Sequence, residues 1–310
     1  MIARLLARKL ATIAGLLVIV FTGAFFLMRL APGGPFDSER QLPKAIERNI
    51  AARFRLDDPL WKQYADYFAD VFLRFDLRPS FAYRDQSVND IIAETFPRSA
   101  ALGSAALLLA LAIGIPAGVL AARAHHKKSR ALDATLSCTF AVALAFPNFV
   151  VATILILVFS FALDVFPVAG FDSLTHLILP ATALAIPLAG SLARLTRSGV
   201  IDSLNSPFVR TARAKGLPES LVLTRHALRA GLVPVVTWLG PATAAVLTGS
   251  LVVERIFAIP GMGSFFVTSV MNRDYPLATG VLLLYFALVA GLNAIIDLSL
   301  HLLDPRIEAR

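Results

Sequence analysis

The chain has one cysteine, Cys138, in 310 residues. A single thiol excludes an intramolecular disulfide and any metal site built from several cysteines, and its place inside an apolar run reads as that of a small buried hydrophobe. Other chemistry is missing as well. There is no GxxxxGK(S/T) loop to cradle phosphates, no HExxH pair and no GxSxG elbow, so the sequence offers neither nucleotide hydrolysis nor a recognisable catalytic centre. His125 and His126 lie in a basic connection, where solvation is expected rather than metal binding. Charge is scarce too: Asp, Glu, Lys and Arg make up 16% of the chain, against about a quarter in soluble proteins.

Apolar residues take their place. They account for 57% of the sequence, with mean hydropathy +0.70, and gather in unbroken runs long enough to cross a bilayer. Six spans are expected near residues 10–30, 98–122, 133–163, 175–195, 232–253 and 277–303, which makes the chain an all-α polytopic membrane protein. The net charge of +8 comes largely from Lys and Arg flanking these runs; this argues for membrane orientation and against a nucleic-acid partner. Arg123, Lys127, Lys128 and Arg130 load the connection after the second span, whereas residues 164–175 contain no Lys or Arg. The first connection is therefore expected in the cytoplasm and the second outside, with both termini cytoplasmic. The basic N-terminal flank precedes an apolar run too long for a signal peptide, so it reads as an uncleaved first span.

The organisation expected is a first span at 1–30, a periplasmic loop subdomain at 31–97, a membrane domain at 98–303 and a cytoplasmic tail at 304–310. Within the loop, Asp58 and Pro59 start a helix whose Trp61, Tyr64, Phe68, Val71, Phe72 and Phe75 form one aromatic face. That face has two readings, packing onto the loop itself or the membrane surface, and docking of an external partner. Ser87 with Asp90 three residues on marks a further short helix leading into the second span. Pro147 lies within the long third span and predicts a bend there; Pro180 and Pro187 offer the same in the fourth. Small residues in GSAALLLALAIGIPAG and GPATAAVLTGS permit close backbone approach, and these faces of the second and fifth spans are expected to meet a homologous subunit. Asn293 and Asp297 read as an interhelical bond in preference to a transport site. Glu254 and Arg255 are expected near the external interface, within reach of water and of each other.

The most informative segment is SPFVRTARAKGLPESLVLTRHALRAGLVPVV, residues 206–236. Arg210, Arg213, Lys215, Arg225 and Arg229 stand against Glu219 alone, so the segment belongs in the cytoplasm. Gly216 suits a left-handed turn after one helix and Pro218 suits the start of the next. Two short helices on a tight turn make a compact knob that another protein can grip.

VRTARAKGLPESLVLTRHALRAGLVPVV resembles the coupling segment of membrane permease subunits of ABC importers, in the form used by peptide and nickel importers. That family's strict motif begins Glu-Ala-Ala with a Gly four residues later. Here Arg210, Thr211 and Ala212 stand in those places and Gly216 is the Gly, so the first two letters depart from it. RLAPGGPF, DDPLWKQY, SVNDIIAETFP, GSLVVERIFAIPGMG, NRDYP and LLDPR carry the likeness over essentially the whole chain. RLAPGGPFDSERQLP and NRDYP look most similar to the B-type permease subunit of oligopeptide importers.

The resemblance implies a type I importer of the bacterial inner membrane. This subunit would sit in the lipid bilayer as a heterodimer with a homologous C-type permease, served by two cytoplasmic ATPase subunits and a periplasmic peptide-binding protein. The chain itself would be no enzyme and hold no cofactor or metal; ATP and magnesium would belong to the ATPases. Arg210, Thr211, Ala212, Arg213, Ala214, Lys215, Gly216, Leu217, Glu219, Arg225 and His226 would enter an ATPase groove. Glu254, Phe257, Pro260, Gly261 and Gly263 would border the periplasmic mouth, with a tight turn formed by the last three. Importers of nickel, dipeptides or glutathione share the scaffold and stay as alternatives. An ion-coupled secondary transporter is the more distant one, since no internal repeat and no set of midmembrane acids supports it.

The orientation is checked by labelling. With Cys138 replaced by serine, a cysteine placed at Ser129 in the short basic connection is expected to resist an impermeant external reagent in intact cells; ready labelling would invert the topology.

Overall fold

The computed structural model of the protein describes residues 2–30, 57–83 and 85–303. Their regular structure is helical, apart from one isolated bridge between Pro79 and Ser87. α1 (Ile2–Leu30) is followed by α2 (Leu60–Leu73), the long α3 (Val88–His126), α4 (Arg130–Ala145) and α5 (Asn148–Leu155), which runs on into a π-helical stretch, Ile156–Ala162. Next come α6 (Leu174–Leu204), α7 (Pro207–Ala214) and α8 (Glu219–Leu221), the last continuing through a π-helical stretch, Val222–Ala227, into α9 (Leu228–Gly231). The chain closes with α10 (Val233–Leu247), α11 (Leu251–Ile256), α12 (Met262–Met271) and α13 (Tyr275–Leu303).

Five stretches are long and apolar enough to cross a membrane: Leu6–Leu30, Val88–His126, Leu174–Leu204, Val233–Ile256 and Tyr275–Leu298. The sixth expected span is a bent pair, Arg130–Ala145 and Asn148–Ala162, whose axes meet at 96°. Pro147 lies at the break as the N-cap of α5, with φ −58° and ψ 139°, and it has no N–H with which to continue the α4 ladder. Pro180 and Pro187, by contrast, lie inside an uninterrupted α6. The chain falls into two compact units, residues 1–98 with 261–290, and residues 99–260 with 291–310. Residues 57–83 and 85–98 thus group with the first span and with residues 261–290.

In the first of these units, α2 lays Tyr67 and Val71 over Phe21 and Phe25 of α1. The Phe21 and Tyr67 ring centres are 5.0 Å apart and those of Phe68 and Phe72 4.7 Å, separations at which aromatic pairs add to simple burial. The aromatic face therefore covers the first span. Two expected members miss it: Trp61 is 73% and Phe75 78% exposed. At about 100° per residue Trp61 points roughly 120° away from Tyr67, and Phe75 lies past the end of α2 with φ +55°. Ser87 caps the next helix as expected, accepting from the Asp90 N–H at 3.1 Å and donating to its carboxylate at 2.6 Å. That helix then continues without a break as α3.

Asp274 organises the same unit. It is fully buried, and its carboxylate accepts from the Ser80 hydroxyl, from the Ala82 N–H at 3.2 Å and from the Leu277 N–H at 3.2 Å. The last bond caps α13, so one acid joins the 78–87 loop to a helix N-terminus whose dipole also favours negative charge.

In the second unit, close backbone approach carries the packing. A Cβ at Gly114 would fall 2.7 Å from the Ala189 carbonyl oxygen and one at Gly118 2.5 Å from that of Ala193, so α3 lies directly on α6. Gly103 meets the Val246 carbonyl of α10 in the same way, and Gly240 meets the Asn293 side chain of α13, each at 2.5 Å from the added Cβ. These small-residue faces, expected to meet another subunit, are used within the chain. Cys138, expected inside, is exposed on α4, because α4 turns Phe140 inward instead.

Replacing Asp274 with alanine leaves buried donors without an acceptor and removes a cap, a loss of about 2 kcal/mol or more. Thermal unfolding in detergent is expected to shift downward for Asp274→Ala, and less for Asp274→Asn, which keeps an acceptor. An unchanged midpoint for the alanine variant would contradict this role.

Candidate functional site

The 206–231 insert leaves α6 through Asn205 and folds as two helices about one bend. Ser206 has the extended backbone of an N-cap, φ −72° and ψ 154°, and Pro207 opens α7, where a missing N–H costs nothing. α7 closes on Lys215, and Gly216 then takes φ +78°. Its N–H donates to the Arg213 carbonyl at 2.9 Å, and the Leu217 N–H donates to that of Ala212 at 3.5 Å, which satisfies carbonyls left over at the helix end. Nothing lies within 4 Å of a Cβ added to Gly216, so the backbone angle alone asks for glycine. Pro218 caps α8, and the second helix continues through its π-helical stretch into α9.

Helical spacing decides which side chains anchor this knob. Val209 and Ala212 of α7 are buried with Val222 and Ala227 of the second helix, against Ala122 of α3 and Val200 and Leu204 of α6. The second helix also meets α6 backbone to backbone: a Cβ at Gly231 would lie 2.8 Å from the Val200 nitrogen. The insert is thus packed onto α6 rather than tethered to it.

Arg210, Thr211, Ala214, Lys215, Gly216, Glu219 and Arg225 are exposed, Arg213, Leu217 and His226 are half-buried, and Ala212 is buried. Ala212 therefore belongs to the anchor and not to the outward face. Arg213 is engaged internally: its guanidinium donates to the two Glu219 carboxylate oxygens at 3.0 and 2.7 Å and lies 3.1 Å from His126 Nε2. These hydrogen bonds hold the Glu219 carboxyl below the usual carboxylate range and raise the Arg213 guanidinium above its own. The pair spans the Gly216 bend and braces one helix against the other. Arg210, Lys215 and Arg225 are left exposed on the insert, as is Phe208 at 46%; arginine and aromatic side chains are enriched at protein interfaces. Nearby, Asp133 accepts from Arg197 at 2.7 and 2.8 Å and lies 2.8 Å from His125 Nδ1. Both histidines of the basic connection therefore have partners instead of being merely solvated. Among the described residues, no group of three or more His, Cys, Asp or Glu is placed to hold a metal ion.

The residues expected around the external mouth separate. Glu254 and Phe257 are interior, 0% and 1% exposed. Glu254 accepts from Ser99 Oγ at 2.7 Å, and its carboxylate fills the space beside Gly249, which has φ +88°. Phe257 packs in the cluster that contains Ile156, Leu179, Leu184 and Ile259. The cause is a break in the fifth span. The helix stops after Leu247 and restarts at Leu251 with Ser250 as its cap, which turns Glu254 inward, away from water. Asn148, just beyond the Pro147 break, donates to Ser250 Oγ at 3.5 Å, so two helix breaks meet. The tight turn lies at Ala258, φ +50°, where the Ile259 N–H donates to the Glu254 carbonyl at 2.8 Å. Pro260 is exposed, Gly261 is the extended N-cap of α12, and Gly263 lies within that helix.

Sequence reasoning missed Asp274 and Ser99. An acid two residues before Pro276 at a helix start is a readable cap signal; Ser99 gave none, because its partner lies 155 residues away.

Comparisons with known proteins cover the whole chain. The family model described as binding-protein-dependent transport system inner membrane component matches residues 114–309. The oligopeptide transport system permease protein OppB of Salmonella typhimurium is 43% identical over 310 residues, 99% of this chain and 100% of that protein. Its Haemophilus influenzae namesake is 42% identical over 294 residues, 94% of this chain and 95% of that one. The dipeptide transport system permease protein DppB of Bacillus subtilis is 40% identical over 306 residues, 99% of this chain and 98% of the relative. A crystal structure of an amino acid ABC transporter with histidines superposes with a TM-score of 0.50 at 16% identity, over 68% of this chain and 93% of that one, a likeness of fold alone.

Proposed function

This chain belongs to the family of binding-protein-dependent transport system inner membrane components, and from that premise we propose that it is the B-type permease of an ATP-driven oligopeptide importer. The full-length identity to permeases named for oligopeptide transport supports the substrate. The observation that carries the mechanism is the knob at 206–231, outwardly basic and packed onto α6. The chain has no phosphate loop, so the driving energy comes from elsewhere, and the knob is suited to receive it. Two cytoplasmic ATPase subunits hold ATP and magnesium, and each grips a permease knob in a groove. Their closure displaces the knob, and the packing of Val209, Val222 and Gly231 against Val200 and Leu204 passes the displacement to α6. A homologous C-type permease completes the path, and a periplasmic binding protein delivers the peptide to the opposite face. In this arrangement both termini are cytoplasmic. The 40% identity to a dipeptide permease makes dipeptides the second reading.

Gly216→Val forces a β-branched residue into a left-handed backbone and swings one knob helix against the other. In nanodiscs holding the complete importer, this variant is expected to dock the loaded binding protein normally while peptide-stimulated ATP hydrolysis falls about tenfold or more. Unimpaired stimulation in an assembled complex would remove the knob from coupling. Stimulation by dipeptides alone, with tetrapeptides inert, would replace the oligopeptide reading by the second one.

A further inference from the structure

Beside the knob, α3, α4 and α6 line a cavity of about 410 Å³ that the coupling reading does not use. Its cations are Lys128 and Arg130, both exposed, and among the described residues neither side chain has a partner. The acid in the lining, Asp133, is already compensated: its carboxylate accepts from Arg197 at 2.7 and 2.8 Å and lies 2.8 Å from His125 Nδ1. The second histidine still has a donor to give. His126 Nε2 lies 3.1 Å from the Arg213 guanidinium, which can only donate, so the neutral ring carries its proton on Nδ1. That N–H has no partner among the described residues, and neither has the exposed side-chain amide of Asn205. Two cations and two neutral donors thus face the cavity with no unpaired acid against them.

Lys128 is held there against its backbone preference. α3 ends in a turn in which the Ser129 N–H donates to the Ala124 carbonyl at 2.9 Å and the Lys128 N–H to that of His125 at 3.0 Å, and Lys128 takes φ +59°, at a position where glycine is the usual residue. Backbone strain beneath a charged, unpaired side chain points to a use for that side chain. The level in the bilayer identifies the anion. Leu120 on α3 is 56% and Leu132 on α4 51% exposed, and Leu132 lies only two residues, about 3 Å of helix rise, beyond Arg130. The edge of the hydrocarbon therefore falls at the cavity, level with the lipid phosphates. Deeper along the same three helices is an apolar cavity of about 270 Å³, with Ile113, Ala117, Leu136, Phe140, Ala189 and Ala193 in its wall. A basic recess at the end of an apolar one suits a negative head group and its acyl chain.

We propose that this cavity binds the head group of an anionic phospholipid of the phosphatidylglycerol type, its phosphate accepting from Lys128 and Arg130 and its other oxygens from His126 Nδ1 and Asn205. Free phosphate has the same chemistry, so the experiment must separate lipid from soluble anion. The full-length protein, purified with any subunits it assembles with and stripped of lipid, is titrated with phosphatidylglycerol, phosphatidylethanolamine and phosphatidylcholine of equal chain length and observed by native mass spectrometry. Phosphatidylglycerol is expected to be retained under activation that removes the other two, and to stay in place in millimolar phosphate. Lys128→Gln with Arg130→Gln is expected to weaken retention about fivefold or more. Arg123→Gln with Lys127→Gln removes the same charge from the same connection but outside the lining, and is expected to change retention less than about twofold. Lys128→Gly relaxes the left-handed turn, so its thermal midpoint is expected to hold or rise while retention falls; it carries the test by itself if the first double variant does not assemble. Equal retention of all three lipids, equal losses in the two double variants, or full retention in Lys128→Gly would overturn the proposal. Displacement by phosphate would do so as well, assigning the cavity to a soluble anion, as would loss of a bound subunit with lipid retention intact in Lys128→Gln with Arg130→Gln, assigning it to a protein neighbour.

Discussion

Helix backbones in direct contact are the constraint on which the second unit depends. Between membrane helices there is little hydrophobic gain, since lipid tails are as apolar as leucine, so association rests on dispersion at close range and on the few polar contacts that reach across. Gly114 and Gly118 let α3 lie against the α6 backbone at Ala189 and Ala193, and Gly231 lets the end of the insert do so at Val200. α6 therefore meets neighbouring backbones at Ala189, Ala193 and Val200. A larger residue at any of these places would separate helices by ångströms, and with them the buried Val209, Ala212, Val222 and Ala227 that fix the insert.

Rigidity in one place is matched by breaks in another. The 96° bend at Pro147 and the interruption at Gly249 meet through Asn148 and Ser250. The same region holds a buried carboxylate, Glu254, bonded to Ser99. Interrupted helices at membrane depth persist only where neighbours satisfy the freed polar groups. The second unit therefore combines a stiff element, α6 with its knob, and a jointed one, α4 to α5 with α10 to α11.

How much of this was legible follows from how local each signal is. Apolar runs of bilayer length marked the helical spans, proline marked the break at 147, and glycine before a proline marked the left-handed bend at 216, because each depends on a few neighbouring residues. Ser87 and Asp90 were readable as a cap for the same reason. Side-chain direction was not. On polarity alone Glu254 belongs in water, but the restart of the helix at Leu251 turns it inward. On hydrophobicity alone Cys138 belongs in the interior, yet α4 presents it outward. Arg213 looked like a docking charge until Glu219, six residues on, was found bonded to it across the bend. The glycines of the second and fifth spans announced close contact without saying with what, since a small residue specifies distance and not partner.

Packing of the knob onto α6 requires the two to move as one body. With Cys138 replaced by serine, spin labels on cysteines at Lys215 and Arg194, both exposed, report the distance between knob and helix in the assembled importer. One narrow distribution is expected, unchanged within about the 1–2 Å of an ordinary helix shift when ATP and magnesium are added. A distribution that broadens, or whose centre moves by a helical turn of about 5.4 Å, would contradict it.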